Sequence, residues 1–316
     1  MVKDLRPGLC SVVCLTYNHA AYSVQSIQSI YDQTFRDIEI IVIDDGSRDE
    51  NVATIRKKLQ DSPFPFSIID QENTGKIGLN MNRALEAASG EFICMLSLDD
   101  LLLPDCIERK MQLLRHDPHL MLVFDTCHKE INDFGTVVSE LAKTPLYGKK
   151  YATAAEMLEL EYETIGTFYL QGALIRHSLV QAIGGYDIDL TGDDLILRTK
   201  IWQYMLNRPE LTFLLQDSPG FIYRKHDQSL HRQTFRQLKT VIEWRNRYFP
   251  TRPLPKLFKG WAFHFFRQCI DQGNDSELKI ALAYSPEIHS MYRAYLSSWK
   301  LRRHTIKRYI KRKFGF

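Results

Sequence analysis

The sequence predicts an α/β protein, a mostly parallel sheet flanked by helices, followed by a helical C-terminal region. Three observations lead there. Apolar, β-branched runs alternate with amphipathic stretches through the first 125 or so residues, the alternation weakens beyond them, and aromatic residues recur at helical spacing from Gln233 onward. Strands that alternate with helices return to one sheet through crossovers, which makes the sheet parallel and covers both faces.

Residues 9–16, 38–44, 66–70, 91–97 and 120–124 read as buried strands. Between them 21–31, 49–60, 76–88 and 104–115 have helical periodicity, with Pro104 expected at a first helical position. Further on, 168–175 and 213–223 read as short extended pieces around a helix over 195–206. In the last region Trp244, Tyr248, Phe249, Trp261, Phe263, Phe265 and Phe266 suggest sugar stacking or a dimer interface. The expected organisation is a catalytic-type domain over 1–228 and a helical region over 229–316.

A chain of 316 residues, 44% hydrophobic and 25% charged, buries a core without staples, so disordered and fibrous classes are excluded. No apolar run approaches the roughly 18 to 20 residues of a membrane span, and residues 1–6 lack the apolar core of a secretory signal. A cytoplasmic location is therefore expected. The six cysteines form no C-x-x-C pair and are expected as reduced core residues. The net charge of +3 conceals a tail, 300–316, with eight basic residues and no acid. Because basic charge is confined to that tail, no nucleic-acid partner is expected. With Trp299, Ile306, Tyr309, Ile310 and Phe314 interleaved, the tail reads either as a helix docking on an anionic membrane surface or as a solvated basic helix. The first reading makes the protein peripheral on the inner face of the membrane.

Three strand ends carry polar clusters: Thr16, Tyr17 and Asn18; Asp44, Asp45, Gly46 and Ser47; and Ser97, Asp99 and Asp100 ahead of Pro104. Singly, each is ordinary turn or capping chemistry. Together they place four carboxylates on the carboxyl edge of a parallel sheet, where ligands bind and where mutual repulsion calls for a cation or for ligand donors.

These clusters, with Asn73, Thr74 and Gly75 and Asn82 downstream, and with the run from Gly90 to Pro104 (GE, then LSLDD, then Pro), give the sequence a recognisable order and spacing. It resembles the family 2 glycosyltransferases, which have the nucleotide-sugar-binding GT-A fold, over about 9–228. The resemblance implies that Asp45, with Asp44 beside it, holds the base and ribose of a nucleotide, that Thr16 and Tyr17 line the same pocket, and that Asn18 and Asn73 also bind the nucleotide. Lys76 either reaches a phosphate or is a solvated first-turn lysine. Asp99 aligns with the last residue of the family's metal-binding D-x-D signature, which implies a divalent cation, Mn2+ or Mg2+, on the leaving diphosphate. Ser97 stands where the first Asp of that signature would be, which puts the usual ribose contact in question. Asp100 either supports the site, in contact with phosphate or acceptor, or caps the following helix.

For the acceptor side, the resemblance implies a general base at a helix start after a Gly-rich turn. Gly184, Gly185, Tyr186 and Asp187, followed by Thr191, Gly192, Asp193 and Asp194, fit that description, with Asp194 favoured over Asp193 and Arg198 as the family's downstream arginine. Tyr223, Arg224, His226 and Ser229 match a Y-R-x-H-x-x-S element. There Arg224 is expected to neutralise diphosphate and His226 to contact metal or phosphate, unless that histidine is structural. The other nine histidines show no paired spacing, so a zinc site is not expected. The expected function is inverting transfer of a sugar from a nucleotide diphosphate sugar to a glycan or lipid-linked acceptor in surface polysaccharide synthesis. The alternatives are a carbohydrate-binding or scaffold protein of the same fold that has lost catalysis, and a nucleotidyltransferase. Residues 16–20 offer the latter no glycine-rich phosphate loop, and the absence of G-x-G-x-x-G after the first strand disfavours a dinucleotide-dependent oxidoreductase.

Overall fold

A computed structural model describes residues 4–226 and 233–298. The chain divides into two compact units, Met1–Ser229 and Leu230–Phe316. The first opens as β1 (Arg6–Thr16), α1 (Ser23–Tyr31), β2 (Ile38–Asp44), α2 (Asn51–Leu59), β3 (Phe66–Asp70), α3 (Ile77–Ala87) and β4 (Gly90–Ser97). It continues through β5 (Leu101–Leu102), α4 (Cys106–His116), β6 (Leu120–Asp125), β7 (Cys127–Asn132) and β8 (Val137–Lys143). The remaining elements are α5 (Ala154–Thr164), β9 (Leu174–Arg176), α6 (His177–Ala182), α7 (Asp194–Met205), β10 (Thr212–Gln216) and β11 (Phe221–Lys225).

Seven strands form the main sheet in the order β10-β6-β9-β4-β1-β2-β3, parallel except for β9. Successive side chains of a strand face opposite ways, so the run in β1 supplies both faces at once. Cys10, Val12 and Cys14 pack with Ile27 and Ile30 of α1, Ile55 and Leu59 of α2, and Met111 and Leu114 of α4. Val13 turns to the other side, among Met81 and Leu85 of α3, Leu179 of α6, and Leu197 and Trp202 of α7. All six cysteines are buried free thiols.

A smaller sheet, β5-β11-β7-β8, lies outside the alternating pattern. Its β8 is largely exposed and has no clean alternation, so no strand period marks it. Helix α5 opens on a Thr153–Glu156 capping box, the local signal for its start. The expected strand over 168–175 shrinks to Leu174–Arg176, and 213–223 breaks into β10 and β11 around Ser218, Pro219 and Gly220. Pro104 precedes the N-cap Asp105 of α4 instead of occupying the first turn.

The second unit contains α8 (Thr234–Tyr248), α9 (Lys256–Gln272), α10 (Asp275–Tyr284) and α11 (Pro286–Leu296). Its aromatic residues pack on one another: Phe235 on Phe265 at 5.8 Å, Phe263 on Tyr295 at 5.2 Å and Trp244 on Phe249 at 4.9 Å between ring centroids. This packing accounts for the aromatic density that suggested sugar stacking or a dimer interface. Among the described residues no helix is long and apolar enough to cross a membrane. The basic tail at 300–316 lies outside the described residues.

At the start of β4, Glu39 accepts the Ser11 hydroxyl at 2.6 Å, the Ser89 N–H at 2.6 Å and the Gly90 N–H at 3.1 Å, knitting three strands together. A Cβ on Gly90 would lie 2.7 Å from both Leu9 O and Ser11 Oγ, so only glycine fits this junction. Gly90→Ala is expected to lower stability by about 1–3 kcal/mol, as overpacking does, read from the urea midpoint at unchanged slope.

Candidate active site

The loops after β1 and β2 form one hydrogen-bonded structure. Asp44 is fully buried; its Oδ1 accepts the Ser47 N–H at 2.7 Å, and its Oδ2 accepts the Ser47 hydroxyl at 2.6 Å and Asn51 Nδ2 at 2.8 Å. Asn51 also donates to Thr16 Oγ1 at 2.8 Å. Asp44 and Thr16 are thus buried in the hydrogen-bonded framework of these loops. Asn51 was not singled out in the sequence, where it looks like one more polar residue at a helix start. Asn18 adopts φ 55° and locks the same turn, its N–H to Ser47 Oγ at 2.8 Å and its Oδ1 accepting the Arg48 N–H at 2.8 Å.

Asp45 gathers the loop after β3. Its Oδ1 accepts the Thr74 N–H at 2.8 Å, the Thr74 hydroxyl at 2.9 Å and Gln71 Nε2 at 3.1 Å, while Oδ2 accepts the Gly75 N–H at 3.1 Å. Asn73 spends its side-chain amide on the Asp45 carbonyl at 2.7 Å. Gly46 is at φ 71°, and a Cβ there would run into the Asn73 backbone. Tyr17 and Lys76 are exposed beside this turn, Lys76 at the N-cap of α3.

Asp99 lies at the end of β4, where three chemically matched groups converge. His226 Nε2 is 3.0 Å and His19 Nε2 3.9 Å from Asp99 Oδ2, and the three donor atoms lie within 4.8 Å of one another. Burial opposes ionisation of Asp99, but the His226 hydrogen bond, the nearby His19 and the Ser97 hydroxyl outweigh it and hold the carboxyl at about 2. Burial pushes His19 down, keeping its imidazole neutral and able to ligate a metal. Asp99 Oδ1 and His19 Nδ1 are buried without a hydrogen-bond partner. A carboxylate, neutral imidazole and orphaned donor atoms fit a divalent cation. Spacing concealed His19 because it and His226 are 207 positions apart and meet only at the sheet edge.

Arg224 and Asp100 are both 2% exposed. Asp100 Oδ1 accepts the Arg224 backbone N–H at 2.8 Å, and the guanidinium donates to Asp99 O at 2.9 Å and Gln25 Oε1 at 2.7 Å over the Tyr22 ring. Asp100 caps no helix. Burial, then the Asp99 charge, pushes its carboxyl well above the usual range.

On the other side of the sheet end, Asp193 caps α7 by accepting the Asp194 N–H at 2.7 Å. Asp194 Oδ2 accepts the Leu170 N–H at 3.0 Å and lies 3.8 Å from Arg198 Nη1, with its side chain 31% exposed. Burial, then the Asp193 charge, raises Asp194 to about 6. Arg198 is turned inward. It clasps Glu161 at 2.8 and 2.9 Å and donates to Phe168 O at 2.6 Å. The segment 168–172 thus links the two sides: Phe168 is held by Arg198, Leu170 holds Asp194, and Gln171 Oε1 accepts the Ser97 N–H at 2.8 Å.

Two solved structures share this architecture. The first is TarS 1-349 of S. aureus in complex with UDP-GlcNAc, 17% identical, with a TM-score of 0.60, covering 91% of this chain and 79% of that one. The second is the mannosyltransferase PcManGT of Pyrobaculum calidifontis in complex with GDP-Man and Mn2+, 15% identical, with a TM-score of 0.58, covering 93% and 86%. The fold is that of the GT-A glycosyltransferases. A family model, Glycosyl transferase family 2, matches residues 11–184, more than half of the chain, and the protein belongs to that family. Among curated relatives, the chondroitin synthase of Escherichia coli is 31% identical over 150 residues, 48% of this chain and 21% of its own length. The GalNAc(5)-diNAcBac-PP-undecaprenol beta-1,3-glucosyltransferase of Campylobacter jejuni is 34% identical over 102 residues, 32% of this chain and 33% of its own length. The matched part thus spans well under two thirds of either relative.

Glu161 and Arg198 are buried as a pair, so removing one strands the other's charge. Glu161→Ala is expected to cost about 3–5 kcal/mol of stability, measured by denaturant unfolding, whereas substitution of the exposed Lys76 by Ala stays within about 0.5 kcal/mol.

Proposed function

We propose that the protein is an inverting, metal-dependent glycosyltransferase that moves one sugar from a nucleotide diphosphate sugar to a hydroxyl of a glycan or lipid-linked acceptor in surface polysaccharide synthesis. The observation that carries the reading is a carboxylate with two imidazoles, Asp99 with His19 and His226 within 4.8 Å, beside β4, whose end segment 168–172 ties to Asp194 through Gln171 and Leu170. The names of the relatives, a chondroitin synthase and an undecaprenol-linked glucosyltransferase, support the substrate classes.

Asp45 Oδ2 receives one N–H, from Gly75, and has room to accept another from a base edge. Tyr17 offers an exposed ring at the same rim, and Lys76, at the start of α3, has the reach and charge for a phosphate. Ser97, at the β4 end, directs its hydroxyl to Asp99 and so contributes to the cation site more than to a ribose. Asp99 and His226 would hold a divalent cation, which neutralises charge on the departing diphosphate. Asp194 orients the acceptor hydroxyl and takes its proton as the oxygen bonds to the anomeric carbon. The bond from that carbon to the phosphate oxygen breaks on the opposite face, and nucleoside diphosphate leaves with the electron pair. Asp193, committed as the helix cap, keeps Asp194 in place and raises its proton affinity.

Asp194→Asn is expected to bind nucleotide normally while transfer falls about 10²- to 10⁴-fold, as loss of a general base does. Equal loss in Asp193→Asn with Asp194→Asn active would move the base one residue back. Because the protonated carboxylate cannot accept a proton, kcat/KM for the wild type should fall about tenfold per pH unit below about 6, a limb absent from residual Asp194→Asn activity. Asp99→Asn and EDTA should each stop nucleoside diphosphate release, measured across a panel of nucleotide sugars. Undiminished release in both would remove the metal from the mechanism.

A further inference from the structure

We propose that His19 is a third protein ligand to the cation, making a two-histidine, one-carboxylate site that selects a transition ion such as Mn2+ over Mg2+. The inference deepens the metal reading above and rests on Asp99 and His226 binding the cation. His19 follows the β1 loop, and that loop is pinned on both sides of it. Asn18 is held in its left-handed turn by Ser47 and Arg48, and the Ala20 N–H donates to Asp49 Oδ2 at 3.1 Å. The imidazole therefore arrives at Asp99 already oriented, with Nε2 toward the carboxylate. Donors bound to one ion at about 2.1 Å lie no more than about 4.2 Å apart, and the observed spread of up to 4.8 Å closes to that by small side-chain rotations.

Asp99 Oδ1, buried and lacking any hydrogen bond, marks a carboxylate not fully satisfied by the protein alone. Two imidazole nitrogens beside one carboxylate have a chemical consequence. Mg2+ demands oxygen ligands and retained waters, whereas imidazole suits first-row transition ions.

The test titrates Mn2+ alone into the full-length protein, without sugar nucleotide, and follows bound ion by electron paramagnetic resonance, with pulsed detection of nitrogen coupling. Wild type is expected to show coupling to two imidazoles and to retain Mn2+ against a hundredfold excess of Mg2+. His19→Ala and His19→Asn, both checked for a native circular dichroism spectrum, should show one imidazole, bind Mn2+ about 10- to 100-fold more weakly and lose the preference over Mg2+. Unchanged coupling, affinity and preference in both His19 variants, with Asp99→Asn abolishing binding, would overturn the role of His19 and leave the metal reading standing. No Mn2+ binding by wild type, or undiminished binding by Asp99→Asn, would overturn both.

Discussion

Four carboxylates, Asp44, Asp45, Asp99 and Asp100, crowd the carboxyl edge of the main sheet, and each must be compensated within a few ångströms. Three are answered by the protein. Asp44 is surrounded by Ser47 and Asn51 donors, Asp45 by the turn at 71–75, and Asp100 by the Arg224 N–H together with a raised proton affinity. Asp99 keeps an oxygen without a partner. The loops take their form from satisfying the first three, and that leaves the fourth as the place where an external charge belongs.

Compensation also shows in how the arginines of the motifs are held. Arg224 carries the charge expected of a phosphate clamp, yet its guanidinium is laid beneath the acids, bonded to the Asp99 carbonyl and to Gln25. Arg198 likewise faces inward, where with Glu161 it fastens the carbonyl of Phe168. Through Leu170 and Gln171 that short segment then couples the position of Asp194 to the end of β4. Of the expected site residues, Tyr17, Asn73 and Lys76 remain exposed, and Asp194 keeps one side open.

Much of the first half was legible because its strands are buried on both faces. Such strands must be apolar throughout, and β2 has the limits expected, 38–44; β3 also keeps its limits, 66–70, although it is the sheet's edge strand and none of its residues is buried. Legibility fell where elements stand at edges or pack on one side. β8 has no clean alternation, β9 is three residues long, and α5 was signalled only by its capping box. Asn51 and Gln71 were invisible as functional residues, since neither type nor position distinguishes them from ordinary surface amides.

The sequence alone determined the alternating α/β architecture, the helical C-terminal region and the strand ends that bear the acids, because burial and turn chemistry are local properties of composition and period. Tertiary structure decided which of those groups face outward. Whether Arg224 points to a ligand or into the protein depends on the hydrogen bonds made by β11 against the end of β4. Whether two histidines 207 positions apart meet depends on the loop after β1 and the end of β11 reaching one carboxylate. Charge compensation acts through distance in space, and no spacing along the chain encodes it.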